Sequence, residues 1–460
     1  MAEDPHNSIS QTLNDAPLGL FHFRAVVTAG MGFFTDAYDL FIIGAALVLI
    51  KQQWHPSSSL IGWIGSSALI AAFVGALVFG RLADLLGRKK IYGVEALLMV
   101  IGSILSAVSP NMGWLLVARF IMGIGIGGDY PVSAVLMSEY ANTKDRGKLV
   151  SLVFSMQALG LVAGPIVALT LLASGLNSSW SWRIMLGLGA IPALAVISLR
   201  RKLPESPRYM AQVKGQAKKA ARHLRAIGGL EVVNITDDIQ SHGTLKTFLT
   251  DPRYMRLLLG TAGSWFLFDY AYYGNSISLP WVLKALAPHS STVTAMAWSL
   301  IIFTLAALPG YILSFAMIDR IGHRRLQIVG FLMMGLSFIA IGLIPGLTTM
   351  AMPFLLLFGV SYFFAEFGPN TTTFVLAAEL YPTYVRTTGH GISAGVAKIG
   401  AFIGVFVFPL LTQRLGLHGT LLLTGVFSLS GLLLTTILPE PAGRSLEEMA
   451  EPIPKKVTQR

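Results

Sequence analysis

The 460-residue chain contains no cysteine. That excludes disulfides, a thiol nucleophile, thiolate metal sites and palmitoyl or prenyl anchors, and it leaves the redox compartment unread. Charge is scarce as well. Asp, Glu, Lys and Arg make up 12% of the residues, against about 25% in a soluble domain, while hydrophobic residues make up 53% and mean hydropathy is +0.64. No aqueous fold of this length exposes so little charge. Residues Met1 to Leu20 lack the basic start and short apolar core of a cleavable signal, so insertion is expected to begin with the first spanning segment itself. Neither a nucleophile, base and orienter triad nor a metal-spaced His cluster is present, which argues against an enzyme and against any cofactor.

What the chain does have is apolar runs long enough to cross a bilayer, near 25–50, 60–82, 91–109, 113–137, 149–174, 184–200, 256–284, 294–318, 327–348, 351–378, 388–414 and 419–438. The predicted fold is an all-α membrane protein with twelve transmembrane helices in two pseudo-symmetric six-helix bundles. The segments are 1–24 (N-terminal), 25–200 (first bundle), 201–255 (central loop), 256–438 (second bundle) and 439–460 (tail).

A net charge of +11 suggests nucleic acid until the cations are placed. Alternate loops are basic (Arg81, Arg88, Lys89 and Lys90; Lys144, Arg146 and Lys148; 201–255; Arg320, Arg324 and Arg325), and the others carry only Lys51, Arg183, Lys284 and Arg414. This asymmetry predicts a cell-membrane protein with both termini and the central loop cytoplasmic, its basic charge explained by the lipid bilayer and not by nucleic acid. Lys214, Lys218, Lys219, Arg222 and Arg225 recur at helical spacing in the central loop. A solvated cytoplasmic helix accounts for them more simply than lipid recognition does.

The two halves repeat. Asp84-x-x-Gly87-Arg88-Lys89-Lys90 returns 235 residues later as Asp319-x-x-Gly322-His323-Arg324-Arg325, and Pro204-Glu205 returns as Pro439-Glu440. Glu139 and Arg146 return as Glu379 and Arg386 at an offset of 240. Whole bundles repeated in parallel are the build of transporters that rock about a central site. Asp84, Arg88, Glu139 and Arg146, with Asp319, Glu379 and Arg386, read as a latch that gates the cytoplasmic side, Asp84 capping a neighbouring helix and pairing with Arg146, and Asp319 doing likewise with Arg386.

Gly123-x-Gly125-x-Gly127-Gly128 lies inside an apolar run and not after a strand, so close helix packing is expected and not dinucleotide binding. Ionisable groups within spans are costly and hence functional candidates. Asp36 and Asp39, three apart, are expected on one face of the first span; Arg119 and Asp129 share the fourth, with Arg119 expected to modulate proton release from Asp129. Trp265, Asp269 and Tyr273, spaced by four, form a stripe of indole, carboxyl and phenol. Tyr130, Gln157 and Asn370 add neutral polar groups and Lys398 a buried cation, a set suited to a small oxygen-rich anion. A protonated Asp269 would donate to that anion and a deprotonated one repel it, coupling proton to ligand. For Glu95 and Glu366 a local helix contact and a functional role stay equally open.

These residues resemble the major facilitator superfamily over nearly the whole chain, through Gly80-x-x-x-Asp84-x-x-Gly87-Arg88-Lys89-Lys90. Pro204-Glu205-Ser206-Pro207-Arg208-Tyr209 and Gly443-Arg444-Ser445-Leu446-Glu447-Glu448 resemble its sugar-porter branch. Longer stretches resemble the phosphate:proton symporter family: 32–41 (GFFTDAYDLF), 123–131 (GIGIGGDYP) with 137–139 (MSE), 367–374 (FGPNTTTF) and 389–394 (GHGISA). The resemblance implies import of inorganic phosphate with protons. It implies that Tyr130, Gln157, Trp265, Asp269, Tyr273 and Asn370 surround phosphate with Lys398 beside them, and that Asp36, Asp39, Arg119 and Asp129 serve proton movement. Glu366 departs from the family pattern, which has a neutral residue there. Another small anion is the next substrate in order, a sugar the third, and a nutrient sensor the alternative of another class.

Overall fold

The structure, a computed structural model, describes residues 8–228, 241–279, 282–283 and 291–450. Lys284, named above, lies outside them. Among the described residues every regular element is helical. The long helices are α1 (Leu20–Trp54), α2 (Ser58–Leu86), α3 (Arg88–Ala107), α4 (Met112–Tyr140), α5 (Arg146–Ala173) and α6 (Ser178–Lys202) in the first half. The second half has α7 (Pro252–Ile277), α8 (Val293–Ile321), α9 (His323–Leu343) and α10 (Ala351–Glu379). A continuous stretch, Arg386–Thr435, follows, broken by non-helical Gly416 (φ 69°, ψ 173°) into α11 (386–415) and α12 (417–435). The expected loop between the last two spans thus shrinks to a single glycine, whose missing Cβ permits the left-handed turn.

Caps written in the sequence set several boundaries. Asn111 Oδ1 accepts the Trp114 N–H at 2.9 Å to open α4, and Asp251 caps α7 with Pro252 in its first turn. Gly87 and Gly322, the motif glycines, have φ of 109° and 97°. Only glycine adopts that conformation cheaply, and it lets the chain turn at once from α2 into α3 and from α8 into α9. Each turn is then held by an acid from the end of its own bundle. Glu205 accepts the Arg88 and Lys89 N–H groups, and Glu440 those of His323 and Arg324.

The glycine run of α4 packs as expected. A Cβ on Gly123 or Gly127 would strike the backbone of Ala68 or Ala72 in α2, and one on Gly125 would meet α3. The halves meet mainly where α2 lies on α11 and α5 on α8. Near the basic loops a short helix, Ala217–Gly228, buries Ala220, Leu224 and Ile227 and turns Lys218, Lys219, Arg222 and Arg225 outward, the pattern of an amphipathic helix on the protein body.

Candidate functional site

Two clusters face each other across the seam. In the first half Tyr130 (α4) donates to Asp36 Oδ2 (α1) at 2.7 Å, and Gln157 (α5) donates to the Tyr130 hydroxyl at 3.2 Å. In the second half Lys398 (α11) donates to Asp269 Oδ2 at 3.0 Å and to the Tyr273 hydroxyl at 3.1 Å, both on α7. Its ammonium also lies 4.5 Å from the ring centres of Tyr130 and Tyr273, so one cation bridges the two clusters. Trp265 continues the α7 stripe, its ring 6.0 Å from that of Tyr130. Asn370 (α10) donates to Tyr311 (α8) at 2.7 Å, and Tyr311 donates across the seam to Gln157 Oε1 at 3.1 Å.

None of these side chains is more than 4% exposed, so the centre is closed at both ends. Phe41 stacks over Tyr273 at 5.9 Å with Phe303 beside it, and on the other side Phe154 and Phe374 pack at 4.6 Å. The arrangement offers phenol, indole and amide donors and one ammonium whose charge is matched by a carboxylate. A bound anion must compete with Asp269 for Lys398.

Asp36 and Asp39, about 60° apart on one side of α1, take different partners: Asp39 accepts from Ser103 (α3) at 3.3 Å. Other expectations need correction. Arg119 serves Asp39, donating to its main-chain oxygen at 3.1 Å, and does not modulate Asp129. Ten residues along one helix set Arg119 and Asp129 about 15 Å apart. Asp129 points away from Tyr130 and binds Arg200 (α6) at 2.8 Å, whose other nitrogen holds Glu95 (α3) at 2.8 Å. Glu95 is therefore part of an ion triad tying α3, α4 and α6.

The latch pairings also differ, because the partners come from opposite halves. Asp84 accepts the N–H groups of Thr387 (3.3 Å) and Thr388 (2.6 Å) and the Thr388 hydroxyl (2.7 Å), capping α11 and not reaching Arg146. Asp319 accepts the Lys148 N–H at 2.8 Å, capping α5 and not meeting Arg386. Arg386 binds Glu139 at 3.0 Å and Arg146 binds Glu379 at 3.2 Å, both across the seam. Arg88 joins Asp84 and Glu139, each at 3.1 Å, and its counterpart His323 joins Asp319 and Glu379 at 3.2 and 3.6 Å. Beyond these, Glu447 of the tail binds Arg208 at 2.6 Å and Gln212 at 3.0 Å.

Reading the sequence missed Tyr311 and Arg200. Tyr311 is a lone phenol in an apolar run, two residues after Pro309, and that isolation was its only signal. Arg200 sits at a span end, where an arginine ordinarily reaches toward the headgroups.

A profile of the family described as "Sugar (and other) transporter" matches residues 25–452. The chain belongs to that family, within the major facilitator superfamily. Curated relatives of this transporter include "Inorganic phosphate transporter 1-6" of Oryza sativa subsp. japonica, 38% identical over 97% of this chain and 96% of that protein. "Inorganic phosphate transporter 1-1" of Arabidopsis thaliana is 35% identical over 96% and 97%. Among solved structures, the proton:xylose symporter XylE bound to 6-bromo-6-deoxy-D-glucose shares the fold of this transporter with a TM-score of 0.81, at 22% identity over 93% of this chain and 98% of that one. The inward-open form of XylE from E. coli gives 0.65 over 93% and 99%.

Proposed function

We propose that the transporter imports inorganic phosphate with protons, alternating access about the centre formed by Tyr130, Gln157, Trp265, Asp269, Tyr273, Asn370 and Lys398. The observation that carries the reading is the buried Lys398–Asp269 pair at 3.0 Å within a shell of neutral donors. As long as Asp269 is ionised it occupies the only cation of the centre among the described residues. Protonating Asp269 frees Lys398 for an anion, so anion and proton load together, each favouring the other by the same factor. A neutral sugar has no use for this pair. The full-length relatives that carry phosphate-transporter names support the anion reading.

In this reading the basic end of the bundle is cytoplasmic, in the plasma membrane, and the cross-seam pairs there form a gate that opens to release phosphate. Asp36, which accepts from Tyr130 at the centre, is a proton carrier of the first half. Asp39 with Arg119 and Asp129 with Arg200 stand one layer out and set how easily that half changes its charge. More than one proton per monovalent phosphate makes uptake electrogenic, each extra charge contributing about 2.3 kcal/mol per 100 mV.

Reconstituted vesicles test this. Labelled phosphate is expected to enter faster under an inside-negative potential, competed by arsenate more than by benzoate or glucose. Asp269→Asn is expected to keep phosphate binding while losing its pH dependence and uphill uptake. Wild-type uptake with unchanged pH dependence in that variant refutes the role of Asp269.

A further inference from the structure

Glu366 lies at the start of a wide turn of α10, Glu366–Asn370, that contains Gly368 and Pro369. It is fully buried, yet among the described residues no Lys, Arg or His stands within ion-pair distance of it, whereas Asp269, Asp129, Glu95, Glu139 and Glu379 each have one. The titratable groups that face it are phenols: Tyr272 from α7, Tyr311 from α8 and Tyr362 from its own helix. From α9 the backbone at Leu326 and Gly330 packs against the turn at Gly368 and Pro369. Its Oε2 accepts from Asn370, and the Tyr272 and Tyr311 hydroxyls face the carboxyl as neutral hydrogen-bonding groups that bring no counter-charge. A buried carboxylate without counter-charge is costly by several kcal/mol, and a proton removes that cost.

Glu366 is also wired to the seam. Asn370, which donates to Glu366, donates as well to Tyr311 at 2.7 Å; Tyr311 donates to Gln157 at 3.1 Å, and Gln157 to Asp36 at 3.4 Å. The chain runs from a carboxyl of the second half to a carboxyl of the first, through the contact that must break when the halves separate. Asn370 and Gln157 are amides, so the chain positions groups and does not conduct protons.

We propose that Glu366 is a proton-carrying group of the second half: it takes a proton from outside together with the anion and gives it up to the cytoplasm once the Tyr311–Gln157 contact has opened. Its protonation is read at the seam through Asn370 and Tyr311. The proposal rests on the proton-coupled anion reading above and adds one charge per cycle to it.

The test is the proton-to-phosphate ratio, measured from the reversal potential of phosphate flux in vesicles. Glu366→Gln mimics the permanently protonated carboxyl. Phosphate counterflow is expected to persist, while the ratio falls by one and accumulation at 100 mV inside-negative falls about fifty-fold. An unchanged ratio and accumulation overturn the proposal. Should counterflow also fail in Glu366→Gln, Glu366→Asp decides: activity at the wild-type ratio supports proton carrying, whereas loss of counterflow in both variants means the cycle needs the shape of Glu366 and not its proton, and overturns the proposal. A wild-type protein that takes up no phosphate at all strikes the substrate reading instead, a result these variants cannot mimic.

Discussion

Replacing Asp84 with Asn tests the swapped caps most directly. The Asp84 carboxylate is buried, 1% exposed, and holds Arg88 at 3.1 Å while accepting two N–H groups and a hydroxyl from α11. Removing one partner of a buried pair costs about 3–5 kcal/mol. Arg88 keeps Glu139, and asparagine still caps, so the low end applies, about 3 kcal/mol. The Arg88 pair lies within the first half and survives opening; only the charge-assisted caps on Thr387 and Thr388 are lost on opening, so about 1.5 kcal/mol of this bears on the ratio of closed to open, roughly ten-fold. Asp319 is 20% exposed, receives one N–H from α5 and pairs with a histidine, so Asp319→Asn is expected to cost about 1 kcal/mol, roughly five-fold. The absence of cysteine makes the assay clean. Two cysteines introduced at Lys89 and Arg324 carry spin labels, and the distance between them reports opening. Equal effects of the two substitutions, or no lengthening in Asp84→Asn, would refute the argument.

Lys398→Ala is expected to weaken phosphate binding by at least ten-fold, more than the loss of any single loop lysine, as measured by titration calorimetry. Gly127→Leu pushes a side chain into the backbone of Ala72 and is expected to destabilise the first bundle by about 1–3 kcal/mol or more, seen as a lower melting temperature in detergent. At Glu447 burial alone would raise the carboxyl, but Arg208 and Asn14 override it and hold it down at about 2. A carboxyl lowered in the folded state stabilises fully above its unfolded value of about 4.3 and loses that contribution progressively as pH falls from there through about 2. Glu447→Gln is therefore expected to lower the melting temperature equally at about pH 5 and about pH 8, and a difference between them contradicts the Arg208 pairing.

The bundle was legible because apolar length and loop charge are one-dimensional signals that the bilayer enforces. Among the described residues the last connection was misjudged, since one glycine with positive φ does the work of a loop. Individual site residues were legible where a costly side chain stood alone in a span, as with Asp269 and Lys398. Their partners were harder to read. Asp129 looked free because Arg200 lies 71 residues away at a span end, and Arg119 looked relevant to it only through closeness in sequence. Spacing along a helix put Asp36 and Asp39 on one side of α1, but which neighbouring helix each meets, α4 for Asp36 and α3 for Asp39, is set by packing that spacing does not show. The latch residues were all visible in the repeat, but a repeat does not tell whether a partner lies in the same copy or the other.

That last point has a consequence for how the molecule is put together. Asp84 caps α11 at Thr388 and Asp319 caps α5 at Lys148, positions that correspond in the two halves. When element i of one unit meets element j of the other and j meets i in return, the contact is isologous, the signature of a closed two-fold dimer. The seam is thus a dimer interface within one polypeptide, and neither unit can finish its own helix ends. Expressed as two separate pieces, the halves are expected to be individually frayed at α5 and α11 and to be completed by each other, without the covalent link.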